Sequence, residues 1–329
     1  MTSIVPKVSS SADQTAWFDA VKSELQGVEN RMREVSHMGQ RTLDSAVEGI
    51  ITAGGKRMRP ALAILMGRLF DADQSHTLSV AASIELLHTA TLVHDDLIDG
   101  ADERRGAPTV HSQLPLGITV LTGDFLFAQA AQLAAQANSV EVVKLFSETL
   151  VKICQGEILQ AQTRWEIPSN EVYENRIYGK TAALFEASTT SPALLTGASL
   201  KQIDACSSFG RNLGLAFQIV DDALDFMATT AQLGKPSGHD MRQGIFNLPA
   251  VFYVEAGYIE VNDLMRRVEN ADRVDELVKH IRDTGMVEKS LAMARDYIHA
   301  ATKSLESLPQ NSASEYLSNL TEYALSRTY

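Results

Sequence analysis

Between His76 and Asp99 the chain runs "HTLSVAASIELLHTATLVHDDLID", 24 residues with no Gly and no Pro. Apolar residues recur along it at three- and four-residue spacing, the signature of a helix with one buried face. At 1.5 Å per residue such a helix is about 36 Å long, enough to cross a whole domain. Similar patterns cover about 13–36, 60–70, 124–164, 170–187, 201–228, 273–306 and 312–327, while alternating strand patterns with hairpin dipeptides are scarce. The expected class is all-α, with a dozen or more helices.

The breaks between helices are short. "GGKRMRP" (54–60), "GADERRGAPT" (100–109) and "QLGKPSGHDMRQG" (232–244) are the main ones, and none has the length or composition of an interdomain tether. The expectation is a mobile tail over 1–12 and one domain over 13–329. "MTSIVPKVSSSADQ" lacks the charged head and apolar core of a signal peptide. The longest stretch free of Asp, Glu, Lys and Arg, Gly106–Gly123, holds two prolines, three glycines and His111, a poor membrane span. A cytoplasmic protein is expected. Cys154 and Cys206 have neither metal nor redox spacing and read as small buried thiols.

The formal net charge of −12 excludes a general nucleic-acid binder, which needs a basic surface. An anionic ligand would need local basic clusters or metal ions. Against that background, Asp95, Asp96 and Asp99 crowd the end of the 76–99 helix. Carboxylates at i and i+4 repel, and near a helix C-terminus they oppose the macrodipole. The arrangement calls for a cation. "QIVDDALD" (218–225) repeats it with Asp221, Asp222 and Asp225, again after an apolar helix. Two such ends invite the expectation that both trios face one cavity. Mg²⁺ binds through one or two carboxylates, with phosphate and water oxygens completing its shell. The loop pattern of an EF-hand is absent, as is a GxxxxGK[ST] phosphate loop.

Cationic residues supply the complement. "GGKRMRP" offers Lys56, Arg57 and Arg59 around Pro60, a residue favoured in the first helical turn, and a helix start with basic side chains is an anion site. Arg104 and Arg105 follow the first trio closely enough to reach one phosphate group. Lys180, Thr181 and Lys235 are further candidates. His88 lies two turns before Asp95 on the same face, and Gln218 lies three residues before Asp221.

The ordered series "GGKRMRP", "ELLHTATLVHDDLIDGADERRG", "LTGDFLFAQA", "GKTAALF", "FQIVDDALDF", "GKPSGHDMRQG" and "LPAVFY", from about residue 50 to 255, resembles the trans-isoprenyl diphosphate synthases. The resemblance implies a single large all-α bundle around a deep central cavity, usually a homodimer. It implies that isopentenyl diphosphate is joined to an allylic diphosphate with release of pyrophosphate. Asp95, Asp96, Asp99, Asp221, Asp222 and Asp225 would hold three Mg²⁺ ions on the allylic diphosphate, which Arg104, Lys180 and Lys235 would also bind. Lys56, Arg59, His88 and Arg105 would bind isopentenyl diphosphate, and Thr181 and Gln218 would lie near the reacting carbons. One departure stands out: Ile245 in "DMRQGIF" occupies a position where the family commonly has lysine, and Arg242 is the cation at hand to replace it.

Product length follows from the wall beside a growing tail. Counting back from Asp95, Thr91, Ala90, Leu87 and Ile84 line one descending path. Short-chain members of the family place a bulky aromatic four or five residues before the first aspartate, where this chain has Thr91 and Ala90. No two-residue insertion separates Asp96 from Asp99, and "FAQAAQLAAQA" (127–137) is rich in Ala. A product of hexaprenyl length or longer is expected, with geranylgeranyl diphosphate as the alternative. Such a product could draw the protein to membranes without a transmembrane segment. The rival readings are a class I terpene cyclase, whose second motif normally has a different form, and a non-catalytic subunit of a heteromeric synthase.

Overall fold

The computed structural model describes residues 16–37, 39–52, 55–104, 106–227 and 237–326. The expected 1–12 tail, Arg105 and Lys235 lie outside the described residues. Helices dominate. Ala16–Ser36 (α1), Arg41–Thr52 (α2), Met58–Leu69 (α3) and Gln74–Asp99 (α4) come first. Glu103–Arg104 (β1) and Ala107–Pro108 (β2) form a small antiparallel hairpin, in register Glu103 to Pro108 and Arg104 to Ala107. Val110–Gln113 (α5), Leu116–Ala135 (α6), Val140–Gln162 (α7) and Asn170–Ile177 (α8) follow. A π-helical turn, Tyr178–Ala182, leads directly into Ala183–Leu195 (α9) and then Leu200–Met227 (α10). The remainder is His239–Arg242 (α11), Leu248–Glu255 (α12), Val261–Val268 (α13), Ala271–Asp283 (α14), Met286–Glu306 (α15) and Ser312–Ser326 (α16).

The all-α expectation holds, with corrections inside it. The pattern read as one helix over 124–164 is broken at 136–139, where Asn138 turns left-handed at φ 52 and Ser139 Oγ accepts from the Val142 amide to start α7. The 273–306 pattern is divided by Gly285 at φ 78. Helices α2, α5, α11, α12 and α13 lie outside the expected patterns. Helix α4 starts two residues earlier than expected because the Asp73 carboxylate accepts from the His76 amide, a side-chain N-cap.

The chain falls into two compact units, one comprising residues up to Ser147 with Ala187–Ser207 and Ser307–Leu320, the other Glu148–Glu186, Ser208–Glu306 and the residues from Thr321 on. In the first unit α4 packs most intimately on α6: Ser83 Oγ donates to the Ala130 carbonyl at 2.8 Å, and Gly123 lies so close to His94 that any side chain there would strike the imidazole. The alanines of α6 therefore serve close helix packing at least at Ala130 and Ala134, both fully buried. Helix α6 is long and apolar enough to cross a membrane by length and composition, and its Thr119, Thr122, Leu126 and Leu133 are buried. In the second unit Phe226, Met241, Phe246, Tyr253, Leu277 and Ile281 are central to one apolar core. Cys206 is buried as expected. Cys154 is exposed, because its position on α7 points away from the buried Ile153 and Gly156.

Candidate active site

Helix α4 ends at Gly100, which takes φ 64 and whose amide donates to the Asp96 carbonyl. Its last turn divides the first trio by depth. Asp95 and Asp99 are half-buried, whereas Asp96 is buried and accepts from Arg104 Nε at 2.7 Å. The β1–β2 hairpin is what turns Arg104 back toward the helix it has just left. Burial raises the Asp96 carboxyl, and Arg104 opposes that rise by attraction and hydrogen bonding. His88 is half-buried on the same helix. Of the "GGKRMRP" cations, Lys56 is exposed and Arg59 half-buried, while the Arg57 guanidinium turns inward to Glu85 and Glu29. Ile84, Leu87 and Ala90 are buried and Thr91 is half-buried.

The second trio also sets an accessible leading carboxylate beside a buried second one, but its third member is buried as well. Asp221 is exposed; Asp222 and Asp225 are buried. Asp222 accepts from Tyr173 Oη and from Gln218 Nε2, each at 2.7 Å. Its carboxyl is pushed up to about 7, first by burial and then by the nearby Asp240 carboxylate, against the pull of those two donors. Asp225 accepts from the backbone amides of His239 and Asp240 at 3.3 Å each, so it seats the start of α11.

Lys180 and Thr181 sit in the π turn, a widened turn that often marks functional sites. It is held by backbone-to-backbone contact: a Cβ on Gly156 of α7 would lie 2.6 Å from the Lys180 amide nitrogen, and one on Gly179 would lie 2.6 Å from the Lys152 carbonyl. This crossing brings Lys180 Nζ to 3.0 Å from Glu157 Oε1. On the other side Thr181 Oγ1 donates to Gln218 Oε1 at 2.6 Å. Thus Thr181, Gln218, Asp222 and Tyr173 form one hydrogen-bonded chain. Lys180, Thr181, Gln218 and the second trio belong to one unit; Lys56, Arg59, His88, Arg104 and the first trio belong to the other.

Several participants were not identified in the sequence. Arg176 Nη2 donates to the Phe246 carbonyl and to Asn247 Oδ1, both at 2.9 Å, and Asn247 Nδ2 donates to Asp240 Oδ2 at 2.8 Å. Tyr173 and Arg176 could have been suspected as a polar pair at i, i+3 on one face of the 170–187 helix, the face that α8 buries. Glu157, a carboxylate one residue past Gly156, carried no such signal. Arg242, the candidate replacement for the lysine absent at 245, pairs with Asp275 Oδ1 at 2.5 Å, and Ile245 is buried.

Among the described residues no three His, Cys, Asp or Glu side chains form a ready-made metal cluster. The donor chemistry nevertheless suits a hard cation that arrives with its ligand. Asp95, Asp99 and Asp221 offer carboxylate oxygens at accessible helix ends, and Mg²⁺ keeps most of its shell for phosphate and water.

The polyprenyl synthetase family pattern matches residues 40–283. Solanesyl diphosphate synthase 2 (chloroplastic) of Arabidopsis thaliana is 34% identical over 323 residues, covering 94% of this chain and 76% of that protein. The short chain isoprenyl diphosphate synthase of Methanothermobacter thermautotrophicus is 35% identical over 322 residues, covering 95% and 99%. A crystal structure of a Caulobacter crescentus polyprenyl synthase, complexed with calcium and isoprenyl diphosphate, superposes with a TM-score of 0.90 at 33% identity over 98% of this chain and 99% of that one. By sequence and by fold, this chain belongs to the polyprenyl synthetase family.

Proposed function

We propose that the chain condenses isopentenyl diphosphate with an allylic diphosphate in the trans configuration, with Mg²⁺, lengthening a prenyl chain to hexaprenyl or beyond. The observation that carries this reading is the depth pattern shared by the first two members of each trio. In each, an accessible leading carboxylate (Asp95, Asp221) stands beside a buried one (Asp96, Asp222) that Arg104, or Tyr173 and Gln218, holds in place. The buried partner fixes the helix end, and the leading carboxylate is presented to a cation.

In this reading residues 13–329 act as one domain, and both trios, Asp95, Asp96 and Asp99 with Asp221, Asp222 and Asp225, serve one allylic diphosphate. Bound Mg²⁺ would neutralise charge that develops on the leaving pyrophosphate. Lys180, Arg104 and Lys235 add positive charge at the same phosphates, where preorganised cations are worth most during C–O cleavage. Thr181 and Gln218 orient the allylic carbons. Lys56, Arg59, His88 and Arg105 hold isopentenyl diphosphate so that its double bond attacks the allylic carbon. The proton then leaves to pyrophosphate, so no His or Glu base is required. Ile84, Leu87, Ala90 and Thr91 give the tail an apolar path from which water is excluded. A homodimer belongs to the same reading, supported by the exposed apolar Leu116, Ile118 and Leu121 of α6.

The similarity to a short chain isoprenyl diphosphate synthase favours a shorter product, with geranylgeranyl diphosphate as the second reading of product length. Retention of both trios speaks against a terpene cyclase or an inactive subunit. The test is incubation of the purified chain with labelled isopentenyl diphosphate, farnesyl diphosphate and Mg²⁺. Products of six or more isoprene units are expected. Arrest at geranylgeranyl length would establish the second reading. Hydrocarbon formed without isopentenyl diphosphate would establish the cyclase, and turnover only after adding a second polypeptide would establish the subunit.

A further inference from the structure

Arg57 lies inside the basic turn, yet its donors point into the protein. Nη1 donates to Glu85 Oε1 at 2.7 Å, Nε donates to Glu29 Oε1 at 3.2 Å, and Nη2 donates to the Ile51 carbonyl. The Arg57 and Glu85 side chains are only 9% and 6% exposed, in contrast to the exposed Lys56 one residue earlier. The Arg57 backbone is left-handed, at φ 48 and ψ 28, immediately before α3. A non-glycine residue in that region is held there by its surroundings. Here the holding contacts are the ion pairs. Glu85 stands on α4 three residues before His88, and its carbonyl accepts from Thr89 Oγ1. The pair therefore ties the turn bearing Lys56 and Arg59 to the helix bearing His88.

We infer that the buried Arg57–Glu85 pair, braced by Glu29, is a positioning clamp that sets the geometry of Lys56 and Arg59 toward isopentenyl diphosphate, and that Arg57 is not itself a phosphate ligand. This rests on the reaction proposed above. The planar guanidinium spreads its donors over three nitrogens that meet these three separated acceptors, whereas a lysine ammonium carries all its donors on one nitrogen, so lysine at 57 keeps the charge and loses the clamp.

The test compares the full-length chain with Arg57→Lys and Glu85→Gln, using KM for each substrate, kcat and thermal melting. KM for isopentenyl diphosphate should rise about tenfold or more in both, with kcat and KM for farnesyl diphosphate within about twofold of the parent. Restoration of the parent KM in Glu85→Asp would further mark the carboxylate as the active part of the clamp. Unchanged KM for isopentenyl diphosphate, or all three parameters moving together with a lowered melting point, overturns the inference. Should the parent chain itself show no condensation, the proposed reaction fails, and calorimetric titration of inorganic pyrophosphate without metal decides the clamp alone. Binding about tenfold weaker in Glu85→Gln, which removes no cation, supports it, and equal binding overturns it.

Discussion

Gln218 is oriented by two neighbours at once: Thr181 Oγ1 donates to its Oε1 at 2.6 Å, and its own Nε2 donates to Asp222 Oδ1 at 2.7 Å. A flipped amide would set its oxygen against the Asp222 carboxylate, so the bond to Asp222 fixes the orientation and the π turn and α10 are locked in register through one side chain. Gln218→Glu keeps the shape, removes the N–H, and places a second carboxylate one helical turn from Asp222. In an assay at pH 8, where the Asp222 carboxyl is mostly ionised, a hydrogen bond to that charged group is worth about 1.5–3 kcal/mol, which corresponds to about 10–150-fold in rate. The expected result is a kcat lowered by about that factor with KM for isopentenyl diphosphate unchanged. A kcat within about twofold of the parent would show that this chain of hydrogen bonds does not serve turnover.

The Gly156–Gly179 crossing yields a second prediction. In Gly156→Ala the new methyl group would meet the Lys180 backbone nitrogen at 2.6 Å, and neither backbone can swing aside as a flexible side chain could. Overpacking of this kind costs about 1–3 kcal/mol. Gly49 in α2 is the control, since a Cβ there meets nothing within 4 Å. Alanine favours a helix over glycine by about 0.5–1 kcal/mol. Chemical denaturation should therefore show Gly156→Ala destabilised and Gly49→Ala modestly stabilised. Equal effects of one sign would mean that the crossing does not constrain the fold.

These relationships also mark where the sequence was legible. Helix α4 could be read almost residue by residue, because an uninterrupted apolar period over seven turns has few other solutions. The gap between α6 and α7 could not, since Ala and Gln favour helix on both sides and only Asn138 and Ser139 oppose it. Spacing placed Asp95 with Asp99, and Asp221 with Asp225, on one helix face but said nothing of depth. Depth is set by Tyr173, 49 residues away from Asp222 in the chain, and by the hairpin that returns Arg104 to Asp96. Arg57 read as a phosphate-binding cation for the same reason: its carboxylate partners lie 28 residues away in either direction.

The two cysteines differ in burial, and that difference is measurable. Burial pushes the Cys206 thiol up to about 12, so at pH 8 it remains protonated and shielded, while Cys154 is exposed on α7. The thiolate is the reactive form. A thiol-specific reagent at pH 8 should modify one cysteine in the native chain and two after denaturation, with peptide mapping placing the native label at Cys154. Raising the pH from 8 to 10 should leave the native count at one, because Cys206 would still be below its titration range. Rapid native labelling of Cys206 would contradict its buried placement.

Ala90 tests the path proposed for the product. It is fully buried on α4, with Ile84 and Leu87 also buried on the preceding turns, and Thr91 beside it is half-buried. A phenylalanine at 90 must displace neighbours or occupy space that a prenyl tail would otherwise use. The first costs about 1–3 kcal/mol of stability and lowers the melting point. The second leaves the fold intact and stops elongation early. Thr91→Phe, entering a site that is already half open, separates the two, because its packing cost is smaller while its obstruction of the tail is similar. Product chain length read by chromatography should shift downward in both variants, with kcat for the first condensation on farnesyl diphosphate preserved in Thr91→Phe. If both variants fold and the distribution of lengths stays where it was, the growing chain does not pass this face of α4, and the long-chain reading loses its structural support.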